Sequence, residues 1–278
     1  MRGSAEKNMR LLQIQDKRIT FNMKAAKEQL DEMRSYIALK GLRPLFWYFN
    51  KNMRNGMQGL FVDLNSVKMV KSLIQRNKKI VIMPLYKSFA DFFVQMYVQR
   101  TQKLYGGFTF GNLDDTPRIG LMDTWLRHCG YILSRRKGSQ SLQSNYVNCQ
   151  LMKEVISANQ VTTVYQNGMR FRTGKLCRRL HAELSVRWLL ETYAWMQQSG
   201  RSNITIVPLM ISYDRKYEAS NLATEMINGE RKDYTLLTAM QHISTVQKNK
   251  LGNIYVKYLD PVNMSDFMKE HCKGGVLS

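Results

Sequence analysis

The chain has 278 residues, 44% of them hydrophobic, enough to bury one large core, and 42 Lys plus Arg against 21 Asp plus Glu give a net charge of +21. The charge favours anionic partners (nucleic acid, an acidic protein or anionic headgroups) or else a solvated basic surface; no apolar run nears the ~20 residues of a membrane-spanning helix, so the expected membrane contact is peripheral. Cys129, Cys149, Cys177 and Cys272 are spaced neither as a metal set nor as a disulfide scaffold and read as reduced thiols.

Residues 5–40 are rich in helix formers, carry interspersed charge and lack proline, which predicts one or two polar helices in an N-terminal extension over 1–40. The opening lacks the apolar core of a secretory signal, and Glu6 and Asp16 count against a transit peptide. From Gly41 the pattern becomes one of alternating strands and helices. Leu45-Phe46-Trp47-Tyr48-Phe49, flanked by Arg43 and Lys51, reads either as packing ahead of the first strand or as a headgroup-level contact. Phe61-Val62-Asp63-Leu64 reads as a strand, and Ser66 as the cap of a helix with Val67, Val70 and Ile74 on one face. Ile80-Val81-Ile82-Met83 reads as a buried strand ended by Pro84. Val147, Leu151 and Val155 form an apolar stripe, Val161 to Tyr165 a β-branched strand, and 182–198 a helix by propensity and length. Ile204-Thr205-Ile206-Val207-Pro208 and Asn253-Ile254-Tyr255-Val256 supply two later strands. This order predicts an α/β layer fold, a largely parallel or mixed sheet flanked by helices, over a domain at 41–278 with its site at strand ends.

Four segments concentrate the chemistry. Tyr86-Lys87-Ser88-Phe89-Ala90-Asp91 follows a buried strand. Gly130-Tyr131-Ile132-Leu133-Ser134-Arg135-Arg136 ends in two arginines, whose planar forks match phosphate oxygens. Tyr165-Gln166-Asn167-Gly168-Met169-Arg170-Phe171-Arg172-Thr173-Gly174-Lys175 adds three cations, with Gly168 and Gly174 as turn residues. Ile206-Val207-Pro208-Leu209-Met210-Ile211-Ser212-Tyr213-Asp214-Arg215 is a core strand running into a polar turn.

In this order, from about Leu42 to about Phe267, the segments resemble the motifs of the glycerol-3-phosphate and dihydroxyacetone-phosphate acyltransferases. That family shows His-Arg-Ser-Tyr-x-Asp first and Phe-Pro-Glu-Gly-x-Arg-Ser-Arg-Thr-Gly-Lys third. The resemblance implies that Asp91 is the motif aspartate and that Tyr86 stands where the family's histidine takes a proton from the acceptor hydroxyl. It further implies a phosphate site of Arg135, Arg136, Arg170, Arg172 and Lys175, an acceptor pocket including Asn167 (in place of the glutamate) and Gly168, and an acyl-side role for Pro208. No metal or cofactor is implied, and acyl-CoA enters only as a substrate if the chain is active.

A phenol with an ordinary pKa near ~10 is ionised in about one molecule in a thousand at neutral pH. General-base help is typically worth ~10² to ~10⁴ in rate. His128, His181, His242 and His271 lie outside the motif frame. The leading expectation is therefore an inactive acyltransferase-like protein, retained as a structural or lipid-binding subunit of a membrane-associated complex. The alternative is a divergent enzyme that transfers an acyl group from acyl-CoA to glycerol-3-phosphate or a related lipid precursor. Expected partners are an anionic phospholipid or membrane surface and other protein subunits. The mitochondrial membrane is the expected location, with the endoplasmic reticulum surface as alternative. A specific nucleic-acid partner is not expected, because no recognition signature accompanies the charge.

Overall fold

A computed structural model of the chain describes residues 22–88, 90–104, 107–112, 124, 126–134, 142–165, 184–200, 203–216, 219–228 and 251–271. In chain order the described elements are α1 (Met23–Glu32), α2 (Leu39–Gly56), β1 (Gly59–Val62), α3 (Leu64–Gln75), β2 (Lys79–Pro84), α4 (Ala90–Thr101), β3 (Thr109–Asn112) and β4 (Tyr131–Ser134). They continue with α5 (Leu142–Ala158), β5 (Val161–Val164), α6 (Leu184–Gln198), β6 (Ile204–Tyr213), α7 (Ala219–Asn228), β7 (Asn253–Tyr258), β8 (Val262–Asn263) and α8 (Met264–His271).

The strands form one mixed, mostly parallel eight-stranded sheet in the order β1-β7-β6-β2-β5-β3-β4, with β8 also paired to β6. β6, β2, β5, β3 and β4 all run parallel. β7 reverses against β6 and carries β1 parallel to itself. The expected α/β sheet flanked by helices is what the chain adopts.

Both faces of the sheet are covered, which explains why its central strands read as unbroken apolar runs. On one face Val81, Phe110, Ile132, Val164 and Ile204 pack with Met152 and Ile156 of α5 and with Trp188, Leu189 and Met196 of α6. On the other, Ile80, Ile82, Val207, Leu209, Ile211, Ile254 and Val256 pack with Val67 and Val70 of α3 and with Val94 and Val98 of α4. Adjacent residues of β2 thus serve opposite layers, as a period of two demands.

Several predicted boundaries need correction. The first strand is Gly59–Val62, and Asp63 caps α3, its Oδ1 accepting the N–H groups of Asn65 (3.0 Å) and Ser66 (3.3 Å). Ser66, predicted as the cap, instead donates its hydroxyl to the Asp63 carbonyl at 2.7 Å. A carboxylate outcompetes the hydroxyl here because it sits one residue before the first helical position and is attracted to the positive helix end. β2 ends at Pro84 as expected, whereas β5 stops at Val164 and β6 runs on through Pro208 to Tyr213; the described part of α6 is Leu184–Gln198, residues 182 and 183 lying outside the described residues. The Pro208 carbonyl accepts from Leu259 N–H at 2.8 Å, so its missing donor faces the flank where pairing passes from β8 to β7.

Residues 22–38 are tied to the rest of the chain. Ala26 of α1 is buried against Val147, and Gln29 donates to the Ser144 carbonyl and the Asn148 side chain. Beyond α1, Ser35, Tyr36 and Ala38 bond to the carbonyls of Arg127 and His128. α2 then runs through the Leu45 to Phe49 stretch, with Pro44 near its start.

Candidate active site

The chain leaves β2, β5 and β4 at the same edge of the parallel sheet, the edge where open α/β sheets place their sites. The first and third sequence segments follow the ends of β2 and β5, and the second contains β4. Arg135, Arg136, Asn167, Gly168, Arg170, Arg172 and Lys175 lie outside the described residues. Tyr86, Asp91 and Pro208 are described.

Asp91 sits in the first turn of α4 with no exposed surface. Its Oδ2 accepts the N–H groups of Lys87 (2.6 Å) and Ser88 (2.9 Å), and its Oδ1 accepts the Tyr213 hydroxyl at 2.5 Å. The Ser88 hydroxyl accepts the Ala90 N–H at 3.1 Å and its carbonyl accepts the Asp91 N–H at 3.0 Å. These bonds, with that from Ser88 N–H to Asp91, close the turn between β2 and α4 in the manner of a helix cap. A carboxylate taken out of water needs such donors, and the positive end of α4 supplies a further favourable field. Tyr213 reaches it from β6, so the first and fourth segments meet at this anion.

Tyr86 is 3% exposed and belongs to a core cluster with Leu42, Phe92, Met96, Leu126, Cys129, Tyr131 and Tyr165. Its ring lies 5.0 Å from that of Phe92 and 5.8 Å from that of Tyr165, the latter edge-on. Burial pushes the Tyr165 hydroxyl well above the usual phenol range, and nearby Tyr131, Asp91 and Tyr86 add to the shift. Burial likewise raises Tyr131, opposed by Arg100. These groups remain neutral donors: Tyr165 donates to Gln95 Oε1 at 2.8 Å and Tyr131 to the Phe92 carbonyl at 2.6 Å. Gln95 and Gln99 in turn donate to Thr163 on β5. The network fixes α4, and with it Asp91, to the neighbouring strand.

Gly130 adopts φ +88, and a Cβ there would lie 2.9 Å from Ile37 Cγ1. A left-handed turn entering β4 is thus the physical reason for the glycine of the second segment. Pro208 pairs in register with Met83 of β2. Among the described residues, no group of His, Cys, Asp and Glu is arranged to hold a metal ion. His128 contacts the Tyr36 hydroxyl through Nε2 and the Thr124 carbonyl through Nδ1.

The chain is 24% identical over 254 residues to a glycerol-3-phosphate acyltransferase of Histophilus somni, covering 89% of this chain. It is 25% identical over 250 residues to that of Pseudoalteromonas atlantica, covering 87%, and 24% identical over 230 residues to that of Pseudomonas aeruginosa strain PAO1, covering 82%. The chain is a homologue of the glycerol-3-phosphate acyltransferases. It spans 29%, 29% and 25% of the length of those three relatives. No protein-family model matches it. Within this acyltransferase homologue, sequence reasoning missed Tyr213 and Ser88 as partners of Asp91. The spacing Ser88-x-x-Asp91 was the available signal for the second, while the first is separated by 122 residues and needs the sheet to bring it in.

Proposed function

We propose that this acyltransferase homologue keeps the family fold as a phosphate- or phospholipid-binding subunit in which acyl transfer has been lost. The observation that carries the reading is the enclosure of Tyr86 within an aromatic core cluster. A general base must reach the acceptor hydroxyl directly or through one water, and a phenol this enclosed, drawn on a residue with an ordinarily high pKa, serves neither requirement. Asp91 supports the same reading, because its bonds to Lys87, Ser88 and Tyr213 cap a helix and tie a strand. Its presence needs no catalytic duty to explain it.

In this proposal Arg135, Arg136, Arg170, Arg172 and Lys175 hold the phosphate, with Asn167 and Gly168 beside it and Pro208 toward an acyl chain. The partners are an anionic phospholipid or membrane surface and other subunits of a mitochondrial membrane complex, or of one at the endoplasmic reticulum.

The second reading is a working acyltransferase that passes an acyl group from acyl-CoA to glycerol-3-phosphate. The comparisons favour it over the first, since the relatives described above are named as glycerol-3-phosphate acyltransferases. Turnover of acyl-CoA by the purified chain, with and without glycerol-3-phosphate, separates the two. The first reading expects no acceptor-dependent rate in the native chain and a gain in the Tyr86→His, Asn167→Glu double variant. Acceptor-dependent turnover in the native chain that disappears in Tyr86→Phe establishes the second.

A further inference from the structure

From the exposed face of α2 we infer that this helix lies flat on an anionic lipid bilayer and turns the Tyr86 cluster toward the membrane. The inference rests on the membrane-associated reading above and names the surface that makes the contact.

The α2 sequence carries Lys40, Arg43, Lys51 and Arg54 and no carboxylate. Arg43, Trp47, Lys51 and Arg54 are all exposed, Trp47 to 64%. At ~100° per residue these four positions fall within an arc of about 80°, along about 16 Å of helix. Lys51 lies over the Trp47 ring with Nζ 5.1 Å from its centroid. Leu42 and Phe46 occupy a different face and pack inward, Leu42 buried in the Tyr86 cluster and Phe46 against it, 5.7 Å from the Tyr97 ring.

Burial of the inner face explains why α2 forms, but not why the outer one presents a large indole to solvent between three cations. A solvated helix face ordinarily mixes signs and keeps such a ring out of water. Cations around an exposed Trp match the headgroup boundary, where an indole sits half in apolar and half in polar surroundings and basic groups meet lipid phosphates. Charge complementarity also fits an anionic bilayer, because the cations run along one narrow stripe of a helix that carries no carboxylate. A chain of net charge +21 adds long-range attraction to the same surface. One helix diameter, about 10 Å, then separates the headgroups from Tyr86.

The test is co-sedimentation with vesicles of phosphatidylcholine alone and with 30% phosphatidylglycerol, at low and high salt. Native protein is expected to bind only the anionic vesicles. Each basic residue near such a surface is worth roughly fivefold in partitioning, so Arg43→Gln, Lys51→Gln, Arg54→Gln together should weaken it about a hundredfold. Arg43→Lys with Arg54→Lys should retain binding, since charge rather than fork geometry is required. Brominated lipid should quench tryptophan fluorescence in native protein and lose most of that effect in Trp47→Phe. Unchanged vesicle binding in the triple glutamine variant overturns the inference. So does quenching that persists in Trp47→Phe, or binding of single-stranded RNA that depends on the same cations while vesicles are ignored. Binding of soluble glycerol-3-phosphate should be equal in native and triple-variant protein, which separates failure of this surface from failure of the phosphate site.

Discussion

Replacing Tyr86 by histidine introduces the residue that the family resemblance implies at this position but removes part of a packed core. The ring of Tyr86 makes a tilted pair with Phe92 at 5.0 Å and an edge-on pair with Tyr165 at 5.8 Å. Such pairs contribute about 0.5–1.5 kcal/mol each beyond the area they bury. The smaller imidazole also leaves unfilled space in the cluster, and partial collapse around it adds roughly another 1 kcal/mol. The expected loss is therefore about 2–4 kcal/mol. For a domain of this size each kcal/mol lowers Tm by roughly 2–4 °C, so 3 kcal/mol corresponds to about 6–12 °C. Urea unfolding followed by circular dichroism gives the measurement, with an unchanged m-value showing that the denatured state is not the source. Tyr86→Phe should cost less, because both ring contacts survive. A Tyr86→His protein within about 0.5 kcal/mol of native would refute the premise that this residue is a core element.

Two further outcomes follow from the same bonds. Tyr213→Phe removes a hydroxyl from a buried carboxylate, and a hydrogen bond to a charged group is worth about 1.5–3 kcal/mol; a loss in that range, read as a drop in urea midpoint, is expected. Burial raises the thiols of Cys129 and Cys149 from 9.0 to about 12 in the folded chain. Between those values the unfolded chain gives up protons that the folded chain keeps, so stability should fall as pH rises above 9, by at most roughly 1.4 kcal/mol per pH unit for each thiol. Urea midpoints at pH 8 and pH 10.5 test this, and the Cys129→Ala, Cys149→Ala variant should show a flatter dependence.

Legibility in the sequence followed burial symmetry. β2 was visible because Ile80, Val81 and Ile82 are apolar on both faces, and β7 because buried Ile254, Val256 and Tyr258 alternate with exposed positions, whereas β3, Thr-Phe-Gly-Asn, has too little apolar content to stand out. α4 was missed because Asp91, Gln95 and Gln99 are buried alongside Phe92, Val94 and Val98, which erases the polar stripe that marks a surface helix. At the site, Asp91 was legible as a motif residue, but its duty was not. Hydrogen-bond partners contributed by another strand have no local spacing, and the Tyr213 contact exists only because β6 overruns β2 past the Pro84 to Leu209 pair.

The central position of β2 bears on how the chain is made. Its partners are β5 at Val161–Thr163 and β6 at Ile204–Leu209, both far downstream. At ~5–20 residues per second a ribosome needs on the order of ten seconds to deliver the second of them after Pro84 has emerged. Until β5 emerges Ile80, Val81 and Ile82 have no partner strand, and until β6 emerges one edge of β2 stays open, a template for pairing with other chains. Nascent chains stalled between residues 84 and 204 should be holdase clients, and translation rate across that interval should govern how much soluble protein results.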